Sequence, residues 1–322
     1  MSAHHSRISV IVLTRDRAPY LSMTLSSLLA QTIVGNLDVH IVDGSAPHLL
    51  ARDHHDAQVP ECMSRLFGAF TIYGARFFYH PVEPNLGIPR CYQMVHDQST
   101  TEFIYRTEDD VFLEPECLER LLDCLLGDAT LAAVAPMTPN FDCPRGFHHI
   151  GDRMESGFWL QVPPDYPEFG PLGLVPFDVQ SKFSAGDRVY EVCHIHGGCL
   201  YRRSAVEAIG GWAVDYTPTG HREETIIYVR LYFAGQRMAV RTGARLVHFE
   251  ASKGGSRPKG REHESRLKDR RADEEKFQRE LRRLIMADSA RDVVIFEGSR
   301  PIPTDEYRRR VAESESPSGT RI

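Results

Sequence analysis

ISVIVLTRDRAPYLSMTLSSLLAQTIVGNLDVHIVDGS, residues 8–45, carries the alternation from which the fold is read. Residues 8–13 are a nearly continuous apolar run rich in β-branched side chains, which suits a strand buried on both faces of a parallel sheet. A polar turn follows at Thr14-Arg15-Asp16-Arg17, Pro19 stands where a first helical turn accepts it, and Leu21, Leu25, Leu28 and Leu29 recur at helical spacing to about Gln31. Residues 37–42 form a second strand-like run, cut by Asp43-Gly44-Ser45, where Asp bonds its own backbone and Gly tolerates positive φ. Strand, helix, strand predicts a doubly wound, mostly parallel α/β sheet flanked by helices.

Outward from this unit, residues 75–80 predict a third strand, 89–97 a helix, and 103–107 a strand ending in acids. Pro115 opens a helix with a stripe of Leu118, Leu121, Leu122 and Leu125. Residues 139–192 are rich in proline, glycine and aromatics without a sustained period, so a loop-rich insertion that carries recognition is expected there. Ser204 and Glu207 have the spacing of a capping box for a short helix that stops at Gly210-Gly211. A further helix spans 223–234, and Phe277, Leu281, Leu284 and Ile285 form the apolar stripe of an amphipathic helix. The chain thus divides into a main unit, 1–252, and a charged helical extension, 253–322, with a frayed end.

Bulk properties exclude several classes. The formal charge of −6 and a pI near 6.2 lack the clustered positive charge that nucleic-acid binding needs. The seven cysteines are spread without a CxxC pair, which predicts reduced thiols rather than a zinc site. No run approaches the roughly 20 apolar residues that span a bilayer, and MSAHHSR lacks the pattern of a signal peptide. A cytoplasmic protein without a transmembrane anchor is the expectation.

Chemistry concentrates where the strand at 103–107 ends. Alternation along an extended backbone turns Glu108 and Asp110 to one side and Asp109 to the other. Convergent carboxylates at the carboxyl end of a parallel strand suit Mn2+ or Mg2+, hard cations that share oxygen ligands with phosphates. His194 and His196 form an H-x-H pair, read as structural for want of a third ligand.

These pieces, taken in order, resemble the inverting glycosyltransferases of family 2, which have the GT-A fold. The segments are ISVIVLTRDRAPYLSMTLSSLLAQT (8–32), IVDGS (41–45), NLGIPRCYQMV (85–95), EFIYRTEDDVFLEPECLERLL (102–122), GGCLYRRSAVEAIGGW (197–212), GHREETIIYVRLYFAGQRMAV (220–240) and ARLVHFE (244–250). The resemblance implies a nucleotide diphosphate-sugar donor, a divalent metal, and transfer to an acceptor whose class (small molecule, glycan, lipid-linked or peptide) is left open, as is homo-oligomerisation. It gives Thr14 and Asp43 to the nucleotide, with Asp43 accepting a hydrogen bond from the base. Asn85 and Arg90 go to the donor, Arg90 at its diphosphate. Glu108 and Asp109 hold ribose and the metal's water shell, Asp110 binds the metal, and His248 is a further ligand. Glu224 becomes the catalytic base, Glu223 and Trp212 lie towards the acceptor, and Arg230 matches the arginine of the family's base helix. The chain departs from the family's pattern at Asp43, where a second acid is missing, and at Glu108 and Glu224, where Asp is usual. Two alternatives stand beside this. A nucleotidyltransferase acting on sugar phosphates would need a glycine-rich loop that Thr14-Arg15-Asp16-Arg17 lacks, and a non-catalytic nucleotide-sugar-binding protein would accommodate the departures.

Overall fold

The computed structural model describes residues 7–137, 158–159, 186–192, 195, 198–249, 251, 255, 261–288, 294–297 and 300–315. The first half runs β1 (Ile8–Thr14), α1 (Ala18–Leu29), β2 (Leu37–Asp43), α2 (Gln58–Ile72), β3 (Arg76–Pro81), α3 (Ile88–Gln98), β4 (Phe103–Glu108), β5 (Val111–Leu113), α4 (Cys117–Gly127) and β6 (Leu131–Met137). The remainder runs β7 (Phe158–Trp159), β8 (Val189–Val192), β9 (Cys199–Arg202), α5 (Arg203–Ala208), α6 (Glu223–Phe233), β10 (Arg237–His248), α7 (Arg261–Ala287), β11 (Val294–Glu297), β12 (Arg300–Ile302) and α8 (Thr304–Glu315).

The main sheet has the order β3-β2-β1-β4-β9-β6-β10-β5, with β8 also on β10. β1 pairs in parallel with β2 on one side and β4 on the other, so the chain winds outward through β2 and β3 and then crosses back past β1. Such a reversal opens a crevice beyond the carboxyl ends of the central strands, which carry Thr14, Asp43 and Glu108. β9 is antiparallel to both β4 and β6. β10 pairs with β6 and β8 along its first part, is irregular between Arg241 and Arg245, and then pairs with β5 so that His248 lies opposite Val111. That register carries His248 to the acidic end of β4.

Both faces of the sheet are covered, which is why β1 reads as an unbroken apolar run. Val10 and Val12 pack with Leu21, Leu25 and Leu28 of α1, Phe70 of α2 and the leucines of α4. Ile11 packs on the other side with Tyr92 and Val95 of α3, Trp212, and Ile227 and Leu231 of α6. Phe277, Leu281 and Ile285 of α7 close a third cluster against Ile226 and Val229 of α6. Each such side chain, taken out of water, contributes about 1.5–3 kcal/mol, so α7 is held to the body by its apolar stripe despite its charged remainder.

Several sequence expectations change. α2 and β6 lay outside the elements expected. β8 falls inside the 139–192 stretch expected to be loop, and the extension contains a β11–β12 hairpin paired with β7 besides its helices. The capping box does not form: Ser204 lies inside α5, the N-cap is Arg202, and no side chain caps that helix. The rest of 139–192 apart from 158–159 and 186–192, together with His194 and His196, lies outside the described residues.

Candidate active site

The β4–β5 corner turns its three acids to two sides. Glu108 and Asp110 meet His248: the imidazole Nε2 is 2.8 Å from Glu108 Oε2 and 3.2 Å from Asp110 Oδ1. Asp109 turns the other way, where Thr14 Oγ1 donates to its Oδ2 at 2.8 Å and Arg17 Nη1 to its Oδ1 at 3.0 Å. Thr24 of α1 pins the corner by donating to the Asp109 carbonyl oxygen at 2.8 Å and accepting the Val111 N–H at 3.1 Å. Arg17 reaches this place because Asp16 before it adopts φ 56°, a left-handed conformation that Asp tolerates better than most residues, and Asp16 N–H donates to Ser45 Oγ at 2.8 Å.

Glu108, Asp110 and His248 each offer one ligand atom within 4.8 Å of the others. Two observations fit this trio to a divalent cation. Asp110 Oδ1 is buried and accepts no well-formed hydrogen bond, and such an oxygen is costly unless a cation or donor meets it. The spacings of 2.8 and 3.2 Å are also close to the edge of an octahedron with bonds of about 2.1 Å. Asp110 Oδ2 is fixed by the Ala251 N–H at 2.8 Å and Arg17 Nη1 at 3.3 Å. Burial pushes the Asp110 pKa up, but His248, the Ala251 N–H and Arg17 more than offset it and leave it below the ordinary range. Burial works against a charged His248, yet Asp110 and Glu108 prevail and raise it to about 10. Asp109, by contrast, is carried up to about 6 by burial, against the pull of Arg17 and Thr14.

A second acid centre stands on the same strand. Arg106, its side chain 2% exposed, donates through Nη1 to Glu223 Oε2 at 3.3 Å and through Nη2 to Glu223 Oε1 at 3.4 Å and Glu224 Oε2 at 3.3 Å. The Tyr92 and Trp212 rings lie 4.6 and 5.4 Å from its guanidinium carbon. Both glutamates stand in the first turn of α6, where a helix dipole favours anions. Glu224 is 20% exposed and Glu223 only 7%. Burial raises the Glu223 pKa, with Arg106 opposing it and Glu224 and Glu108 adding to it.

The approach to α6 is tightly fitted. Gly87, at φ 96°, begins α3 where a Cβ would lie 2.9 Å from Pro218 Cα, so only glycine fits. Asp273 of α7, 1% exposed, accepts the Thr217 N–H at 2.8 Å, the Thr217 hydroxyl at 2.7 Å and the His221 N–H at 3.0 Å. Glu274 accepts from Arg222 Nε at 2.7 Å, and its pKa is held far below the usual range by His221, Arg222 and Gln278 despite burial.

Some expected residues are placed differently. Asp43 is fully buried at the end of β2, where it accepts the Ser45 N–H at 2.8 Å, the Leu49 N–H at 2.6 Å and the Tyr79 hydroxyl and so holds the loop that follows. Trp212, 3% exposed, stacks on Tyr92 with centroids 4.8 Å apart, and the buried Glu223 is engaged by Arg106. Arg230 pairs with Glu280 of α7 at 2.7 Å. Asn85 and Arg90 are exposed at the start of α3. Sequence reasoning missed Arg106, Arg17 and Asp273. Arg106 did leave a signal, as a cation inside the apolar strand FIYRTE, where only a paired charge is stable; Asp273 sits in a helix crowded with charge and left none.

No family model and no curated protein matches the sequence. Solved structures do. A mannosyltransferase, PcManGT from Pyrobaculum calidifontis, solved with GDP-Man and Mn2+, is similar at 16% identity over 96% of this chain and 70% of that one, with a TM-score of 0.53. S. aureus TarS 1-349 in complex with UDP-GlcNAc is similar at 12% identity over 88% of this chain and 67% of that one, with a TM-score of 0.55. GalNAc-T7 with UDP, GalNAc and Mn2+ is similar at 11% identity over 76% of this chain and 44% of that one, with a TM-score of 0.52. The likeness shows the fold, and the chain has the GT-A architecture.

Proposed function

We propose that this chain is a glycosyltransferase that moves a sugar from a nucleotide diphosphate donor to an acceptor nucleophile, with inversion, metal assistance and Glu224 as general base. The observation that carries the proposal is the pairing of two acid centres on β4. Arg106, which holds Glu223 and Glu224, and Glu108, which meets Asp110 and His248, are two residues apart on one face of the strand, about 7 Å along it. A leaving-group site and a proton acceptor are thereby set side by side at the carboxyl end of the central sheet. The relatives in fold support the same reading, since each was solved with a nucleotide or nucleotide sugar and two with Mn2+.

Glu108, Asp110 and His248 would hold Mn2+ or Mg2+. When bound, such a cation supplies electrostatic stabilisation of the departing diphosphate. Thr14 and Arg17 keep Asp109 turned away from the trio. Arg90, exposed on the first turn of α3, is available to the donor. Glu224 takes the acceptor's proton as the nucleophile bonds to the anomeric carbon, while the anomeric carbon–oxygen bond to the diphosphate breaks and its electron pair leaves with the nucleotide. Arg106 donates to the Glu224 carboxylate, and the dipole of α6 favours negative charge at that position.

The test is thermal shift and nucleotide release with GDP-mannose and UDP-N-acetylglucosamine, each in Mn2+, Mg2+ or EDTA. A ligand that binds only the folded state raises the melting temperature. Stabilisation that appears only with metal, together with slow nucleotide release to water, is expected. No metal-dependent shift and no release with either sugar nucleotide would overturn the proposal.

A further inference from the structure

We infer that Arg106 is the positioning residue of the candidate base: its guanidinium fork, anchored on Glu223 and faced by the Tyr92 and Trp212 rings, fixes the orientation of the Glu224 carboxylate. The inference rests on the glycosyl-transfer reading above. Arg106 lies in the interior of β4, between the buried Tyr105 and Thr107. A strand there needs only apolar filling, and burying a cation costs free energy unless it is paired. Its pairing is divided unequally. Nη1 and Nη2 both engage Glu223, the more buried acid, and this locks the plane of the guanidinium. Nη2 is shared with Glu224 Oε2, so the orientation of the locked fork passes to the more exposed acid. The rings at 4.6 and 5.4 Å resist rotation of the fork. A lysine keeps the charge but, as a point donor on a flexible stem, cannot bridge both acids in a fixed plane.

The other titratable groups that act on this centre include Tyr105 and Glu108 from β4, Tyr92 from α3, Cys199 and Tyr201 from β9, and Glu223 and Tyr228 from α6. Arg106 is the cation among these groups.

The experiment follows nucleotide release from whichever of GDP-mannose and UDP-N-acetylglucosamine the full chain hydrolyses in Mn2+. Arg106→Lys is expected to keep the fold and the donor KM while lowering kcat by about 10²-fold, the scale of a small misplacement of a catalytic group. It should also move the acid limb of the kcat profile to higher pH, because a carboxylate that loses a charge-assisted hydrogen bond is protonated more readily. Glu224→Asp, one methylene short of the fork, should show the same loss and the same shift, and the double variant should be little worse than either single one. A native kcat and an unmoved limb in Arg106→Lys, with Glu224→Gln inactive, would overturn the positioning role alone. Native turnover in Glu224→Gln would overturn the base assignment and the role of Arg106 with it. If Arg106→Lys does not fold, Glu224→Asp decides, and native-like rate and limb in that variant overturn the inference.

Discussion

The two acid centres of β4 treat negative charge in opposite ways. Around Arg106 the compensating cation is covalently part of the chain, buried, and shared between two glutamates of one helix. At Glu108, Asp110 and His248 the acids come from a strand end and a corner, the histidine from the far end of β10, and the buried Asp110 Oδ1 meets, among the described residues, only the imidazole Nε2, at 3.2 Å. One centre carries a permanent cation in Arg106, and the other is held by an imidazole that must give up its proton before the trio can take a cation from solution. A permanent cation suits a group that must hold one orientation through each turnover, whereas an exchangeable one suits a group that must meet a phosphate.

The strongest challenge to this contrast is Glu224→Gln. If the Arg106 centre holds the base, turnover should fall by about 10²–10⁴-fold with the melting temperature little changed. A helix-start acid alone would instead cost about 0.3–1 kcal/mol of stability and leave turnover intact. Asp110→Asn should then weaken nucleotide diphosphate binding in Mn2+ by about 10–100-fold, on the scale of damage to a metal's surroundings. In excess EDTA the native protein should fall to the level of the variant, and calorimetry that shows equal affinities with and without metal would remove the distinction between the centres. Asp273→Asn replaces one of the two accepting oxygens with an NH2, so either the Thr217 or the His221 N–H loses its acceptor, and a loss of about 1–3 kcal/mol is expected in urea unfolding. A silent substitution would mean that α7 does not brace the approach to α6. A smaller loss, about tenfold in rate, is expected from Glu223→Gln, because the amide keeps one of the two oxygens that anchor the Arg106 fork while Nη2 still reaches Glu224. A larger loss there than at Glu224 would reverse the two assignments.

How much of this was legible in the sequence depends on how local the cause is. β1, α1 and β2 were readable because their periods are set by burial along one segment, with Leu21, Leu25 and Leu28 all buried. α2 was missed because it buries only Met63 and Phe70, too few to mark a face. The outward and inward turns of Glu108, Asp109 and Asp110 follow from pleating and could be argued from three letters. That His248 meets them depends on the register of β10 against β5, which no local pattern encodes, and only the family resemblance pointed to it. Asp43 and Trp212 were assigned by motif, and a motif places a side chain on an element without naming its neighbours, here the loop after β2 and the Tyr92 ring.

β10 also makes the molecule sensitive to length. Its first part is held by β6 and β8, its last residues by β5, and the irregular stretch between Arg241 and Arg245 joins the two registers. In an extended chain one residue more or fewer turns every later side chain to the opposite face. A single-residue insertion or deletion there would leave the sheet's composition unchanged and point the imidazole of His248 away from Glu108 and Asp110. The residue count of this linker is therefore as constrained as its letters, for Thr242 and Ala244 are buried and a Cβ on Gly243 would meet the Asp187 side chain.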